Sequence, residues 1–127
     1  SKGAVGSMHF RCFDMEIGMI GLTEAQAREY GYDVLAGSID HASRAHAQPE
    51  RKPIRIKLVA DRNTRRLLGG QIAGREGAAL RINTLAVALQ AGMTIEEVSA
   101  LDLAYAPPFS PVMDPILLAA RVLSKDN

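Results

Sequence analysis

The stretch Tyr105-Ala-Pro-Pro-Phe-Ser-Pro-Val-Met-Asp-Pro115 constrains this chain more than any other. Three prolines fall close together at 107, 108 and 111. Each fixes its own φ and drives the residue before it out of the helical region, so the segment is expected to be extended and stiff. Two rings, Tyr105 and Phe109, hang on that stem. Asp114-Pro115 then has the form of an N-cap followed by proline at the first helical position, and the apolar run Ile116-Leu-Leu-Ala-Ala120 follows at once. Two readings are open: a proline-rich connector whose aromatics join the core, or a preorganised arm that presents its rings to a partner.

The helix fed by this stem is expected over 115–123. Ile116, Leu117, Leu118, Ala119, Ala120, Val122 and Leu123 leave it almost no polar face, and a helix apolar all round is buried all round. It is either the central helix of one domain or a helix covered by a second copy. Burial against a second subunit would contribute about 1.5–3 kcal/mol per side chain before the cost of association. Stem and helix are consecutive, so both can meet one partner. Pro111, Ile116, Leu117, Leu118, Ala120 and Leu123 are therefore the expected dimer-interface residues.

Upstream, residues 8–19 alternate loosely and read as one strand. Thr23-Glu-Ala-Gln26 is a capping-box pattern opening a short helix that Gly31 should stop. Tyr32 to Ile39 reads as a second strand, fraying into a polar, alanine-rich loop over 40–52. Ile54-Arg-Ile-Lys-Leu-Val-Ala60 alternates cleanly, as a strand with one wet face does. Asp61 to Arg66 makes the turn, and Leu67 to Gly74 returns beside it. Gly69 and Gly70 weaken a strand interior and mark a bulge or a close backbone approach. From Glu76 to Ala91, apolar residues at 82, 85, 86 and 89 form the stripe of an amphipathic helix, with Gly92 as its stop. Thr94-Ile-Glu-Glu97 is a second capping box, opening a short helix towards Leu101. The expected fold class is α+β, an antiparallel sheet with helices packed on it.

These segments resemble the C-terminal dimerisation domain of the flavin-dependent pyridine nucleotide-disulfide oxidoreductases, in the branch of the coenzyme A-disulfide reductases and water-forming NADH oxidases. The resemblance is carried by Phe13-Asp14, Gly21-Leu-Thr-Glu24, Leu68-Gly-Gly-Gln-Ile-Ala-Gly74, Met93-Thr-Ile-Glu-Glu-Val98 and the proline-rich stem, in that order over nearly the whole chain. It implies a single domain, 1–127, with the FAD/NAD-linked reductase dimerisation fold, belonging to a larger flavoprotein whose FAD- and NAD-binding domains are absent from this sequence. It implies a homodimer in which the arm crosses the interface and completes the partner subunit's active site in trans. Tyr105, Pro107, Pro108 and Phe109 would line that site, with FAD and NAD(P)H as cofactors of the intact enzyme. Some members carry tyrosine where this chain has Phe109, so a hydrogen-bonding role is not carried over there. The His–Glu pair of the glutathione reductase branch has no counterpart.

Composition narrows the alternatives. At 127 residues the chain forms one domain. Lys+Arg 15 against Asp+Glu 14 is near neutral and argues against nucleic-acid or membrane-surface partners. Arg62, Arg65 and Arg66 read as a solvated turn. The single cysteine, Cys12, excludes an internal redox pair and fits a reducing cytoplasm. An initial serine suggests an excised piece.

No Gly-x-Gly-x-x-Gly follows a strand, and Glu76 would itself occupy the helix start after Gly74, against a phosphate site. His9, His41 and His46 lack metal-ligand spacing, the last two in an expected loop, so no metal site is assigned. Glu24 with Arg28 reads as a surface pair, and Asp102 and Asp114 as turn and cap. No catalytic residue is assigned to this chain, and alone it is expected to be inert. The alternative function is a stand-alone homodimeric assembly or small-ligand-binding module with no redox role.

Overall fold

The computed structural model describes residues 6–12, 15–42, 53–74, 78–101 and 114–126. Tyr105, Pro107, Pro108, Phe109 and Pro111 lie outside the described residues, as do Phe13, Asp14, His46, Glu76 and Asp102. In chain order the elements are β1 (Ser7–Cys12), β2 (Met15–Gly21), α1 (Glu24–Glu29), β3 (Val34–Ala42), β4 (Pro53–Asp61), β5 (Leu67–Gly74), α2 (Ala78–Gln90), α3 (Ile95–Ser99) and α4 (Pro115–Ser124). The strands form one antiparallel sheet in the order β1-β2-β5-β4-β3.

Local chemistry sets most of these boundaries. Thr23 Oγ1 accepts from the Gln26 amide at 3.1 Å, and Gln26 Oε1 accepts from the Thr23 amide at 3.0 Å, so the capping box opens α1. Thr94 and Glu97 repeat the device for α3, at 3.1 and 2.8 Å. Gly31 and Gly92 follow α1 and α2 with φ of 91° and 69°, the left-handed geometry that glycine adopts without a Cβ clash.

Four expectations change. The single strand over 8–19 is two strands: β1 pairs with β2, with Met8 opposite Met19. The second strand begins at Val34 and runs on to Ala42, so His41, expected in a loop, lies on β3 opposite Ile54. The third, at Arg62 and Arg65, and the fourth, at α4, are described with the site below.

In β4, Ile54, Ile56 and Leu58 point into the main core while Arg55 is exposed. On the main-core side of the sheet, α2 packs on β2 and β5, and α4 packs on β3, β4 and α3. Between them Ile20, Ile56, Leu58, Ile72, Leu85, Ile95, Ile116 and Leu123 form one buried cluster. Val59 points to the opposite face, where it packs with Ala27 of α1 and Val34 of β3. Both the bulge and the close approach expected at Gly69 and Gly70 are present. The β4–β5 register shifts between Val59, opposite Gly69, and Ala60, opposite Leu67.

No described helix is long and apolar enough to cross a membrane.

Candidate functional site

The region that bears on function is α4 and what holds it. Asp114 caps the helix as expected, its Oδ1 accepting from the Ile116 amide at 2.8 Å, with Pro115 in the first turn. The helix is not buried on all sides. Ile116, Ala119, Ala120 and Leu123 recur at helical spacing and turn into the chain's own core, at 4% exposure or less. The structure thus places Ile116, Ala120 and Leu123, expected at a dimer interface, beneath the helix, where the sheet and α3 already cover them. Leu117 and Leu118 are half-buried and Val122 is 47% exposed, forming the apolar part of the outward face beside Arg121.

Both ends of α4 are tied to other elements by arginines. Arg81 of α2 approaches the N-cap, its Nε 3.6 Å from Asp114 Oδ2. At the other end Arg65 reaches across from the β4–β5 turn. Its Nη2 donates to the Ser124 carbonyl at 2.7 Å and its Nη1 to the Asp126 carbonyl at 3.0 Å. Nε and Nη2 also donate to Glu96 Oε2 of α3, at 3.1 and 2.8 Å. The last carbonyls of a helix have no partner within it, and the negative end of its dipole attracts a cation, so Arg65 satisfies both.

Arg65 adopts φ of 68°, a conformation that disfavours a side-chain-bearing residue by about 1–2 kcal/mol. Arg62 is tied as well, to Asp33 Oδ1 at 3.3 Å and the Val34 carbonyl at 3.1 Å. The expectation of a solvated arginine turn therefore fails for these two. Their partners lie on elements distant in sequence, which no local pattern reveals.

On the opposite face of the sheet, Thr23, Glu24, Ala25, Arg28, Lys57 and Gln71 line an open depression of about 380 Å³. Lys57, and with it Arg28, holds the Glu24 carboxyl below the usual glutamate range by hydrogen bonding and charge, against a small opposing effect of burial. Nearby, Asp40 and Arg55 stand directly opposite in the β3–β4 register and pair through two hydrogen bonds, at 2.8 and 3.0 Å. Arg55 lowers the Asp40 pKa and Asp40 raises that of Arg55.

The glycines of β5 do not form a cofactor cradle. A Cβ at Gly69 would stand 2.0 Å from the Leu22 carbonyl oxygen, one at Gly70 2.8 Å from Leu85 Cδ1, and one at Gly74 3.1 Å from Ile54 Cγ1. Their space is already taken by protein, so the pyrophosphate of a dinucleotide does not fit there. Among the described residues no group of three or more His, Cys, Asp or Glu is placed to hold a metal ion.

Comparison with known families decides what this frame is. Residues 9–115 match the family described as pyridine nucleotide-disulphide oxidoreductase, dimerisation domain. The chain belongs to that family. Among curated relatives, it is 45% identical over 121 residues to an NAD(P)H coenzyme A polysulfide/persulfide reductase of Pyrococcus horikoshii, an alignment covering 95% of this chain and 27% of the relative.

Among solved structures, an NAD-dependent persulfide reductase from A. fulgidus superposes with a TM-score of 0.86 at 38% identity, over 96% of this chain and 23% of that one. The water-forming NADH oxidase of Lactobacillus brevis superposes at 0.85 with 26% identity, over 93% of this chain and 26% of that one. The chain thus spans about a quarter of the length of the proteins it matches, and the dimerisation-domain fold accounts for that quarter.

Proposed function

We propose that this chain is the dimerisation domain of an NAD(P)H- and FAD-dependent oxidoreductase of the cytoplasm, a homodimer acting on coenzyme A-linked disulfide, persulfide or polysulfide sulfur. The observation that carries this reading is the 45% identity over 121 residues to a coenzyme A polysulfide/persulfide reductase. The space beside the β5 glycines is filled by protein, and in this reading both cofactors belong to other parts of the intact polypeptide. This domain contributes assembly and the shape of the site.

The outward face of α4 is the assembly surface in this reading. Leu117, Leu118 and Val122 are the apolar side chains of α4 that the chain's own core covers only in part, and Pro111 precedes them in sequence. Tyr105, Pro107, Pro108 and Phe109 line the partner subunit's active site, with the phenol of Tyr105 as the hydrogen-bonding group and the prolines as its stiff support.

The test uses the intact polypeptide. Tyr105→Phe is expected to slow NAD(P)H-dependent reduction of a coenzyme A persulfide while leaving the melting temperature in place. Unaltered turnover would reduce Tyr105 to packing. Leu118→Glu is expected to yield monomers by sedimentation equilibrium, and a persistent dimer would remove α4 from the interface.

A further inference from the structure

We propose that Arg65 is a positioning residue for assembly: it clasps the C-terminal end of α4 to α3 and so holds the outward row Leu117, Leu118 and Val122 in place for a second subunit. The inference rests on the dimer reading above and goes beyond it by naming what fixes the surface.

The geometry is convergent. One guanidinium, with its side chain 25% exposed, serves the carboxylate of Glu96 and the carbonyls of Ser124 and Asp126. Its own backbone is pinned on both sides. The Arg65 amide donates to the Asp61 carbonyl at 2.7 Å, the Arg65 carbonyl accepts from the Ile95 amide at 2.8 Å, and Arg66 bridges to Thr94. The turn therefore docks on the first residues of α3 while its side chain reaches the last residues of α4.

A left-handed position such as this one is most easily filled by glycine. A side-chain-bearing residue persists there when its surroundings over-determine it, and at Arg65 those surroundings are the clasp. The inner apolar stripe of α4 holds the helix on the sheet, and because that attraction is non-directional it opposes sliding along the axis less than lifting. Directional bonds at the final carbonyls, together with the Arg81–Asp114 pair at the N-cap, oppose that sliding. A surface fixed before association loses less freedom on binding, so it dissociates more slowly.

Arg65→Gly tests this in the intact polypeptide, because glycine keeps the backbone turn without strain and removes only the clasp. Exchange between differently labelled dimers is the readout. Exchange about tenfold faster than in the parent, at a temperature where far-ultraviolet circular dichroism shows both folded, is the expected result. Arg65→Lys is expected to restore part of the difference, since an ammonium can serve some of these acceptors but not the whole set.

A merely stabilising role would lower the melting temperature and leave exchange of the folded dimer unchanged. Unchanged exchange in Arg65→Gly, with Leu118→Glu still separating the subunits, overturns the clasp and leaves the dimer reading standing. A dimer that survives Leu118→Glu overturns both. Should Arg65→Gly not fold, Glu96→Ala, which removes the carboxylate acceptor, is measured in its place: faster exchange upholds the clasp and unchanged exchange overturns it.

Discussion

The ammonium of Lys57 stands 2.7 Å from Glu24 Oε1, joining the middle of β4 to the first turn of α1. Arg28, one turn along the same helix, holds Oε2 at the same distance. One carboxylate thus ties a helix to the strand beneath it while also serving as the acidic group that favours the start of that helix.

Its lowered pKa fixes the sign of a pH effect. The unfolded chain takes up the proton first as pH falls, so the stability Glu24 contributes is present above the unfolded value near 4.5 and is lost as pH falls through the folded value. Glu24→Gln is expected to flatten the acid limb of the urea-denaturation midpoint plotted against pH, leaving the rest of the curve parallel to the parent. Added salt should shrink the difference, because the pair is partly exposed.

Gly69 and Gly37 make a controlled comparison. At Gly69 a methyl group would meet the Leu22 backbone, which cannot move without unseating the entry to α1. At Gly37 it would meet only Leu123 Cδ1, at 3.2 Å. Gly69→Ala should destabilise the fold by about 3 kcal/mol or more, and Gly37→Ala should stay within about 1 kcal/mol of the parent, as read by chemical denaturation.

Thr94→Ala removes the side-chain acceptor for the Glu97 amide. A loss of about 1 kcal/mol is expected, measured in the same denaturation series, and Thr23→Ala should behave alike at α1.

Leu85 and Val87 lie two residues apart on α2 with opposite fates, 0% and 65% exposed. Leu85→Ala should reduce stability by about 2–5 kcal/mol through the cavity it leaves. Val87→Ala should change it by no more than about 0.5 kcal/mol.

The sequence made its local devices plain. Both capping boxes, the Asp114-Pro115 start of α4, the glycine stops at 31 and 92 and the alternation of Ile54, Ile56 and Leu58 each involve residues within a few positions of one another. The hairpin between β1 and β2 was missed because Phe13-Asp14 carries no glycine or proline to break the alternation. Asp40 and His41 at the far end of β3 read as loop because an edge strand with a wet face shares a loop's composition.

The candidate site was legible in a different proportion. The cap and the apolar row of α4 were visible, but which side chains turn inward depends on where the sheet lies, and Leu117 is as apolar as Ile116. Arg65 gave no signal, since Glu96, Ser124 and Asp126 come to it from two helices well downstream. The aromatic stem lies outside the described residues, and its role rests on its sequence and on the family.

The strand order also governs how the chain is assembled in time. Three of the four strand joins link neighbours in sequence, and the fourth, β2 with β5, bridges α1, β3 and β4. Loop closure makes that join the entropically most demanding step of building the sheet. Refolding is expected to be paced by an N-terminal hairpin finding the open edge of a β3-β4-β5 meander, and Gly18 and Gly70 at that seam leave room for Ile82 and Leu85 of α2 to pack against it.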